Sequence, residues 1–362
     1  MSPTGPAGPT SAGAAAAARI GITGVGYAVP ENIRTNDDPI FAWLVGHPVA
    51  GNDLFYGYDE RRVLQPRESA IDLMVPAAMQ ALAAANLAPR DVDVLLGYAS
   101  VSEYVMPNAL THLHAMLGLR RSTWAIPVNA DYSNFNASLL LADSLIRAGQ
   151  AERALIVCGG NWSQYVDYHT APSVSAADGA GAAVLRTSAE PSHFRLVDSE
   201  TEVQAQYYGV MYQQPDILEP AVSPAPGTRV PGARVPGEGL SDRASYTQPY
   251  FHLTQAGLQG FSAFGEAVPP LVVGRLLERN GLAGSDVAII AHQTSLALIE
   301  LWTKAIGPAQ FLHTLSTFAN MTVANIPVNL ACLYDQIQTD YLVLLSLGPE
   351  MHTNALLLRR NG

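Results

Sequence analysis

The chain of 362 residues can form one large domain or two half-domains, and its composition, 48% hydrophobic and 14% charged, is that of a globular protein. A net charge of −11 disfavours nucleic-acid binding, and an acidic partner would need a local basic patch. No apolar run in the sequence reaches the roughly 18 residues that a membrane-spanning helix requires. Two cysteines are too few for a disulfide framework, so we expect a reducing cytoplasm.

Strand and helix signals alternate along the chain after residues 1–18, an Ala/Gly/Pro/Ser-rich stretch that predicts a disordered leader and not a signal peptide. Strands are predicted at RIGITGVGYAVP, VDVLLGYASV, WAIPV, RALIVCGG and DGAGAAVLR. Helices are predicted at ESAIDLMVPAAMQALAAANL, at NALTHLHAMLGL and from Asp131 to Ala148. The alternation predicts an α/β fold whose sheet is mostly parallel and covered by helices.

The same order of signals recurs after about residue 190. Strands are predicted at HFRLVDSE, DVAIIAH, YLVLLSLG and NALLLRR, and a long helix at about 255–280. We therefore expect two similar halves, 19–188 and 189–362. Residues 219–242 are dense in Pro and Gly and predict either a long loop that acts as a lid or a plain surface insertion.

A series of patches follows in a characteristic order between residues 19 and 362. They read VPENIRTNDD, YDERRVLQPRESAIDL, VNADYSNFNASLLLADSLI, ERALIVCGG, DGAGAAVL, AHQTSLALI, FANMTVANIPVNL and LLSLG. Together they resemble the ketoacyl synthase III enzymes of the thiolase-like superfamily. The resemblance implies a thiolase-like fold, a five-layered α/β/α/β/α pair of half-domains, usually as a homodimer. It also implies that the strand with Cys158 pairs across the dimer interface.

In that family a Cys–His–Asn set carries the chemistry. The cysteine lies at the N-terminus of a buried helix, where the helix dipole favours a thiolate, and it takes an acyl group from a thioester. The histidine and asparagine hold the carbonyl of a second thioester while it loses CO₂ and attacks. The resemblance places these two residues at His292 in AHQTS and Asn320 in FANMT, and it places the cysteine position at Tyr132.

Tyr132 is a poor replacement for a cysteine nucleophile. The unperturbed pKa of a tyrosine is about 10, and the neighbouring Asp131 disfavours a phenolate further. One residue of helix rotates a side chain by about 100°, so we expect Ser133 to point away from the site. Cys158 in a strand and Cys332 in an apolar helix are expected to behave as small hydrophobes.

The family's C-terminal glycine-rich turn, whose backbone stabilises an oxyanion during self-acylation, reads LGPEMHTNA here. Gly348 is kept, but Pro349 has no N–H to donate, so we expect self-acylation to be lost. Glu350 and His352 are either new polar groups of the cleft or surface residues. With Ser133 and Gly348 they form a tentative substrate-binding set.

The donor is expected to be an acyl thioester, with a carrier protein favoured over coenzyme A. The Trp and Arg that clamp the adenine of coenzyme A in the family are absent from GNDLFYG, residues 51–57. The segment DGAGAAVL is not G-x-G-x-x-G, so its glycines are assigned to close packing near the site and not to a nucleotide. His and Cys are not clustered at ligand spacing, so neither a metal nor a cofactor is expected.

Three functions remain open. The first is an acyltransferase of specialised metabolism that passes an acyl group directly to a small acceptor, with His292 as general base or, when protonated, as hydrogen-bond donor. The second is decarboxylation of a malonyl-type thioester by His292 and Asn320. The third is a non-catalytic partner subunit, which the retention of both residues disfavours. In the first two, we expect Tyr132, His292 and Asn320 to converge on one buried cleft.

Overall fold

A computed structural model describes residues 19–47, 53–104, 106–188, 194–214 and 250–361. The predicted leader, the boundary between the two halves and the Pro/Gly-rich loop at 219–242 lie outside the described residues, so they stay predictions. Within the described part of the chain, no helix combines the length and the apolar character needed to cross a membrane.

The regular elements follow the predicted alternation. The strands are β1 (Arg19–Ala28), β2 (Ile33–Thr35), β3 (Glu60–Arg62), β4 (Val94–Ser100), β5 (Trp124–Pro127), β6 (Arg153–Asn161), β7 (Asp178–Ser188), β8 (Phe194–Val203), β9 (Met211–Gln214), β10 (Tyr250–Leu253), β11 (Val287–Ala291), β12 (Gln310–Leu312), β13 (Tyr341–Gly348) and β14 (His352–Arg360). The α-helices are α1 (Ala42–Gly46), α2 (Ala70–Ala84), α3 (Leu110–Met116), α4 (Asn134–Arg147), α5 (Gln255–Arg279), α6 (Leu296–Ile306), α7 (Leu315–Phe318) and α8 (Asn325–Leu333).

Two five-stranded sheets have the same topology. Their strand orders are β5-β4-β6-β7-β1 and β12-β11-β13-β14-β8. In each sheet the first two pairings are parallel and the last two antiparallel. The prediction of two similar α/β halves is therefore confirmed, but that of a mostly parallel sheet is wrong. The reason is that β6–β7 and β13–β14 are joined without an α-helix, and parallel neighbours are usually joined by a crossover that contains one.

Five layers stack in the order α2 and α3, first sheet, α4 and α8, second sheet, α5 and α6. The central helices share one buried cluster with both sheets, which includes Phe135, Leu139, Ile326 and Leu330 from the helices and Leu96, Ile156, Ile290 and Leu344 from the strands. The outer helices bury their apolar faces in separate clusters against the first and second sheets. The described chain thus has the predicted thiolase-like fold.

Strand β6 does not offer an edge for pairing across a dimer interface. It is hydrogen-bonded to β4 on one side and to β7 on the other, so the expectation that the strand with Cys158 pairs with a partner is wrong. The free edge beyond β4 belongs to β5, where Trp124 is 66% exposed. Cys158 itself is fully buried, and burial raises the pKa of its thiol to about 12, so it is not a nucleophile.

Glycines of β7 let the central helices lie directly on the first sheet. A Cβ added at Gly181 would meet the backbone of α8, at 2.5 Å from the carbonyl carbon of Pro327 and 2.6 Å from the nitrogen of Val328. Since any larger residue at Gly181 would push α8 away, this glycine sets the distance between α8 and the first sheet. This close approach positions the chain that leads into α8, where Asn320 lies.

Candidate functional site

The turn before α4 presents Tyr132 at the junction of the two sheets. Asp131 and Tyr132 have φ values of 28° and 70°, so the helix begins at Asn134 and not at Asp131 as predicted. Non-glycine residues with positive φ cost on the order of 1–3 kcal/mol each and persist where surrounding contacts hold them. Here the Tyr132 N–H donates to the Asn134 side chain at 2.8 Å, and the Ser133 N–H donates to the Ala130 carbonyl at 2.8 Å.

His292 follows β11 and lies under Tyr132. Its backbone N–H donates to the Leu345 carbonyl of β13 at 2.8 Å, which extends the parallel ladder by one residue. The imidazole is 1% exposed and stacks on the Tyr132 ring, with centroids 5.2 Å apart and planes at 8°. The residues to which the sequence resemblance assigned the cysteine and histidine positions therefore stack face to face, although the two are far apart in sequence.

Asn320 joins the two halves of the protein at the same place. Its N–H donates to the Ser175 carbonyl at 2.8 Å, and its carbonyl accepts from the Ala177 N–H at 3.0 Å. Both partners precede β7 of the first half, whereas Asn320 precedes α8 of the second. Asn320 is 6% exposed, so its amide is buried.

Asn325, which the sequence reasoning missed, connects His292 to Asn320. Its Nδ2 donates to Oδ1 of Asn320 at 2.8 Å and lies 3.0 Å from Nδ1 of His292. Its Oδ1 accepts from the N–H of Met321 at 2.7 Å, and since a backbone N–H can only donate, this contact fixes the orientation of the amide. The Nδ1 of His292 must then accept, and the ring proton lies on Nε2.

The arrangement turns both predicted residues into hydrogen-bond donors. Oδ1 of Asn320 accepts from Asn325 and from the N–H of Thr322 at 2.9 Å, so its Nδ2 is the group available to a ligand. The Nε2–H of His292 is the second side-chain N–H group of this cluster, and the Thr322 backbone also interacts with the imidazole. The pattern of an asparagine inside the apolar segment VANIPVNL was the sequence signal for Asn325, but only the fold shows what it contacts.

Burial decides the charge states at the site. It lowers the pKa of His292 to about 3, an effect to which the charge of His352 adds, so the imidazole is neutral. Burial also raises the pKa of the Tyr132 phenol, and the carboxylates of Asp131 and Glu350 raise it further. Neither a phenolate nor an imidazolium is therefore available here near neutral pH.

The tentative substrate-binding residues form a second cluster between α4 and the β13–β14 turn. Ser133 Oγ lies 2.5 Å from Nε2 of His352, and Glu350 Oε1 lies 2.8 Å from Nδ1 of the same ring. Gly348 makes room for this ring, because a Cβ there would collide with it. Ser133 and His352 are buried, at 5% and 7% exposed, whereas Glu350 is partly exposed. These four residues are thus brought together, with Ser133 turned toward the hairpin.

Comparison with known proteins identifies the family. A family model described as 3-oxoacyl-[acyl-carrier-protein (ACP)] synthase III matches residues 127–205. Beta-ketoacyl-[acyl-carrier-protein] synthase III 4 of Streptomyces coelicolor is 30% identical over 319 residues, which cover 87% of this chain and 89% of that protein. The chain belongs to the ketoacyl synthase III family.

Two further proteins are similar to this chain. The 2-heptyl-4(1H)-quinolone synthase subunit PqsC of Pseudomonas aeruginosa is 27% identical over 328 residues, 83% of this chain and 85% of that protein. The structure of the priming beta-ketosynthase from the R1128 polyketide biosynthetic pathway superposes with a TM-score of 0.75 at 18% identity, covering 98% of this chain and all of that chain. At that identity the likeness shows the fold alone.

We predict that the His292 imidazole stays neutral, with its proton on Nε2, between about pH 5 and pH 8. ¹⁵N NMR of histidine-labelled protein reads both the charge and the tautomer. Because the unfolded chain binds this proton near pH 6.5 and the folded chain near 3, His292 also makes the free energy of unfolding fall as pH drops through that interval. Asn325→Asp places a carboxylate at Nδ1 and should raise the pKa; an unchanged ¹⁵N spectrum would refute the assigned tautomer.

Proposed function

We propose that this ketoacyl synthase III-like protein is an acyltransferase of specialised metabolism that passes an acyl group directly from a thioester to a small acceptor, without an acyl-cysteine. One observation carries the proposal. Asn325 orients the side chains of His292 and Asn320, while Tyr132, to which the sequence resemblance assigns the cysteine position, has a phenol of raised pKa. The site keeps the groups that bind a carbonyl and lacks the nucleophile that would store the acyl group.

The paired donors fit the charge that develops during acyl transfer. When a nucleophile attacks a thioester, negative charge grows on the carbonyl oxygen, and preorganised N–H groups in a buried site stabilise it strongly. A neutral His292 with its proton on Nε2 acts as such a donor without being protonated first. We therefore prefer this role to the general-base role also expected from the sequence, because Nδ1 already accepts from Asn325.

Tyr132 is assigned to shaping the pocket. Its ring covers one face of the His292 imidazole and packs against the central apolar cluster, where the family's smaller cysteine would leave space. This stacking keeps water from that face of the histidine and holds the plane of the ring. The hydroxyl stays protonated and can donate to a substrate, but it does not attack.

A carrier protein remains the favoured source of the acyl group. Several relatives are synthases whose names specify an acyl carrier protein, which supports a thioester of that kind. Of the stretch that lacks the adenine clamp, Gly51 and Asn52 lie outside the described residues, and Leu54 and Phe55 pack into an apolar cluster with Phe41. Because Leu54 and Phe55 pack against this cluster, their side chains are not available to hold the adenine of coenzyme A.

Decarboxylation of a malonyl-type thioester is the second candidate. The same two donors would stabilise the enolate left when CO₂ departs, and that half-reaction needs no nucleophile on the enzyme. Release of CO₂ from malonyl-coenzyme A or a malonyl carrier protein in the absence of any acceptor would favour it. Transfer that depends on an acceptor and occurs without CO₂ release would favour acyl transfer.

We predict that no acyl group becomes attached to Tyr132. Intact-protein mass spectrometry after incubation with thioester alone should show an unchanged mass, and initial-rate kinetics with both substrates should be sequential and not ping-pong. Tyr132→Phe keeps the stacked ring, so its turnover should lie near that of the wild type and well above that of His292→Ala. A stable mass increase that maps to Tyr132 and disappears on adding acceptor would overturn direct transfer.

A further inference from the structure

Direct transfer leaves one chemical task without a residue. An alcohol or amine acceptor must lose a proton as it attacks the thioester, and a positioned base normally takes it. His292 is not suited to this task, because its Nδ1 lone pair accepts from Asn325 and its Nε2 already carries a proton. The base must therefore come from another part of the cleft.

We propose that His352, paired with Glu350 and linked to Ser133, is the general base that accepts the acceptor's proton. This inference rests on the proposed acyl transfer and adds a catalytic residue to it. Ser133 Oγ lies 2.5 Å from His352 Nε2, and Glu350 Oε1 lies 2.8 Å from Nδ1, so serine, imidazole and carboxylate stand in sequence. Such a sequence of groups is recognised by its geometry and not by chain order.

The contacts on each side of the ring set the direction of proton transfer. The Glu350 carboxylate lies within ion-pair distance of Nδ1, although not aligned as a hydrogen bond, and it favours a proton on that nitrogen. Ser133 Oγ also lies 2.6 Å from Ser346 Oγ, and when the Ser346 hydroxyl donates to Ser133, the Ser133 hydroxyl donates to Nε2. When a second proton reaches Nε2, the carboxylate stabilises the imidazolium that forms. Gly348 and the positive φ of Met351, 56°, allow the turn to hold the ring against α4.

The charges that face His352 come from three elements. Glu350 lies on the same hairpin turn, Asp131 lies in the turn before α4, and the imidazole of His292 follows β11. Two carboxylates and a neutral imidazole surround the ring, which suits a group that becomes positive during the reaction. Glu350 Oε2 is buried without a hydrogen-bond partner among the described residues, so it can receive a polar hydrogen of the acceptor.

Each proton and each bond is accounted for in the proposed transfer. The acceptor's oxygen or nitrogen forms a bond to the thioester carbonyl carbon, its proton passes to Ser133 Oγ, and the Ser133 proton passes to His352 Nε2. The oxyanion, held by His292 and Asn320, then collapses and the C–S bond breaks. The departing thiolate takes the proton from His352, which returns the enzyme to its starting state. Ser133 relays the proton and forms no bond to the acyl group.

The test compares two acceptors that differ in their need for a base. Acetyl, butyryl and octanoyl thioesters of N-acetylcysteamine serve as donors, and 1-butanol and hydroxylamine serve as acceptors. Hydroxylamine is nucleophilic without prior loss of a proton, so it needs little general-base help. After subtraction of the rate without enzyme, His352→Gln should lower transfer to butanol by about 10²–10⁴-fold, whereas transfer to hydroxylamine should stay close to the wild-type rate.

Two more variants keep the test decisive if His352→Gln fails to fold. Glu350 is partly exposed, and Glu350→Gln removes the carboxylate that faces His352. This variant should lower transfer to butanol less than His352→Gln does, with the same preference for hydroxylamine. Ser133→Ala should retain measurable transfer to butanol, because His352 can then take the proton through a water. His313→Gln, another partly buried histidine of the second half, is the control and should treat both acceptors as the wild type does.

Equal losses with both acceptors in His352→Gln and in Glu350→Gln would reduce these residues to a structural role and overturn the inference alone. An acyl group found by mass spectrometry on Ser133 would also overturn it, since the serine would then be a nucleophile. If the wild type forms hydroxamate from none of the thioesters faster than the same mixture without enzyme, the proposed acyl transfer fails, and this inference with it. The three results are separate, so failure of one proposal is not mistaken for failure of the other.

Discussion

Replacing His292 with alanine is expected to lower acyl-transfer turnover by about 10²–10³-fold, the usual effect of removing one donor to an oxyanion. The imidazole donates from Nε2 in a fully buried site, where no solvent molecule offers the same geometry. Steady-state release of thiol from the donor in the presence of acceptor measures the loss. The Michaelis constant should change less than the turnover, because the donor acts mainly as negative charge develops.

The control for this variant must separate lost chemistry from lost packing. His292→Ala also removes the ring that Tyr132 stacks on, so its thermal unfolding is measured alongside its turnover. His292→Gln restores an N–H donor near the same place and should recover part of the activity, which a purely structural role would not predict. His313→Ala tests the general effect of losing a partly buried histidine. Near-full turnover of His292→Ala on a verified substrate pair would refute the mechanism.

Most of the fold could be predicted from the periodicity of apolar residues. The strands and the long helices of both halves fall where apolar runs and alternating patterns placed them, since each element must bury one face. The parallel character of the sheets could not be predicted in this way. Strand direction depends on whether a connection crosses over, and the β6–β7 connection, although long, contains no α-helix.

At the start of α4, the local sequence pattern predicts the wrong first residue of the helix. Residues 131–148 have helical periodicity, yet Asp131 and Tyr132 adopt positive φ and the helix begins at Asn134. The conformation is held by hydrogen bonds to Asn134 and Ala130 that no propensity encodes. The same turn aims Tyr132 at His292 and Ser133 at His352, so a local irregularity determines which side chain faces which cluster.

The family motifs pointed to His292 and Asn320, but the tautomer of the histidine and the hydrogen bonds of the asparagine depend on the fold. The motifs AHQTS and FANMT do not show that Asn325 lies between the two side chains and fixes the tautomer of His292. Similarly, the departure from a glycine-rich turn after Gly348 pointed to Glu350 and His352, but it did not show that His352 contacts Ser133 and Glu350 contacts His352. These contacts join segments that are far apart in the chain, so they can be identified only in the folded structure of both halves.

Asn320→Asp is expected to reduce acyl transfer at least as far as His292→Ala, by about 10²–10³-fold or more. The carboxylate can still accept from Thr322 and Asn325, so the local backbone keeps its shape. Its second oxygen, however, replaces the Nδ2 donor and places negative charge where the oxyanion forms. The variant should therefore be slower than Asn320→Ala, which loses the donor but adds no repulsion.

The relative turnover of the two Asn320 variants distinguishes electrostatic stabilisation of the oxyanion from a role in packing alone. Aspartate is nearly isosteric with asparagine, so a mechanism that used Asn320 only for packing would rank Asn320→Asp above Asn320→Ala. Thiol-release kinetics of both proteins, with thermal unfolding to confirm that each is folded, give the ranking directly. If Asn320→Asp turned over at close to the wild-type rate, the amide N–H would play no part in binding the carbonyl, and the pairing of His292 with Asn320 would have to be abandoned.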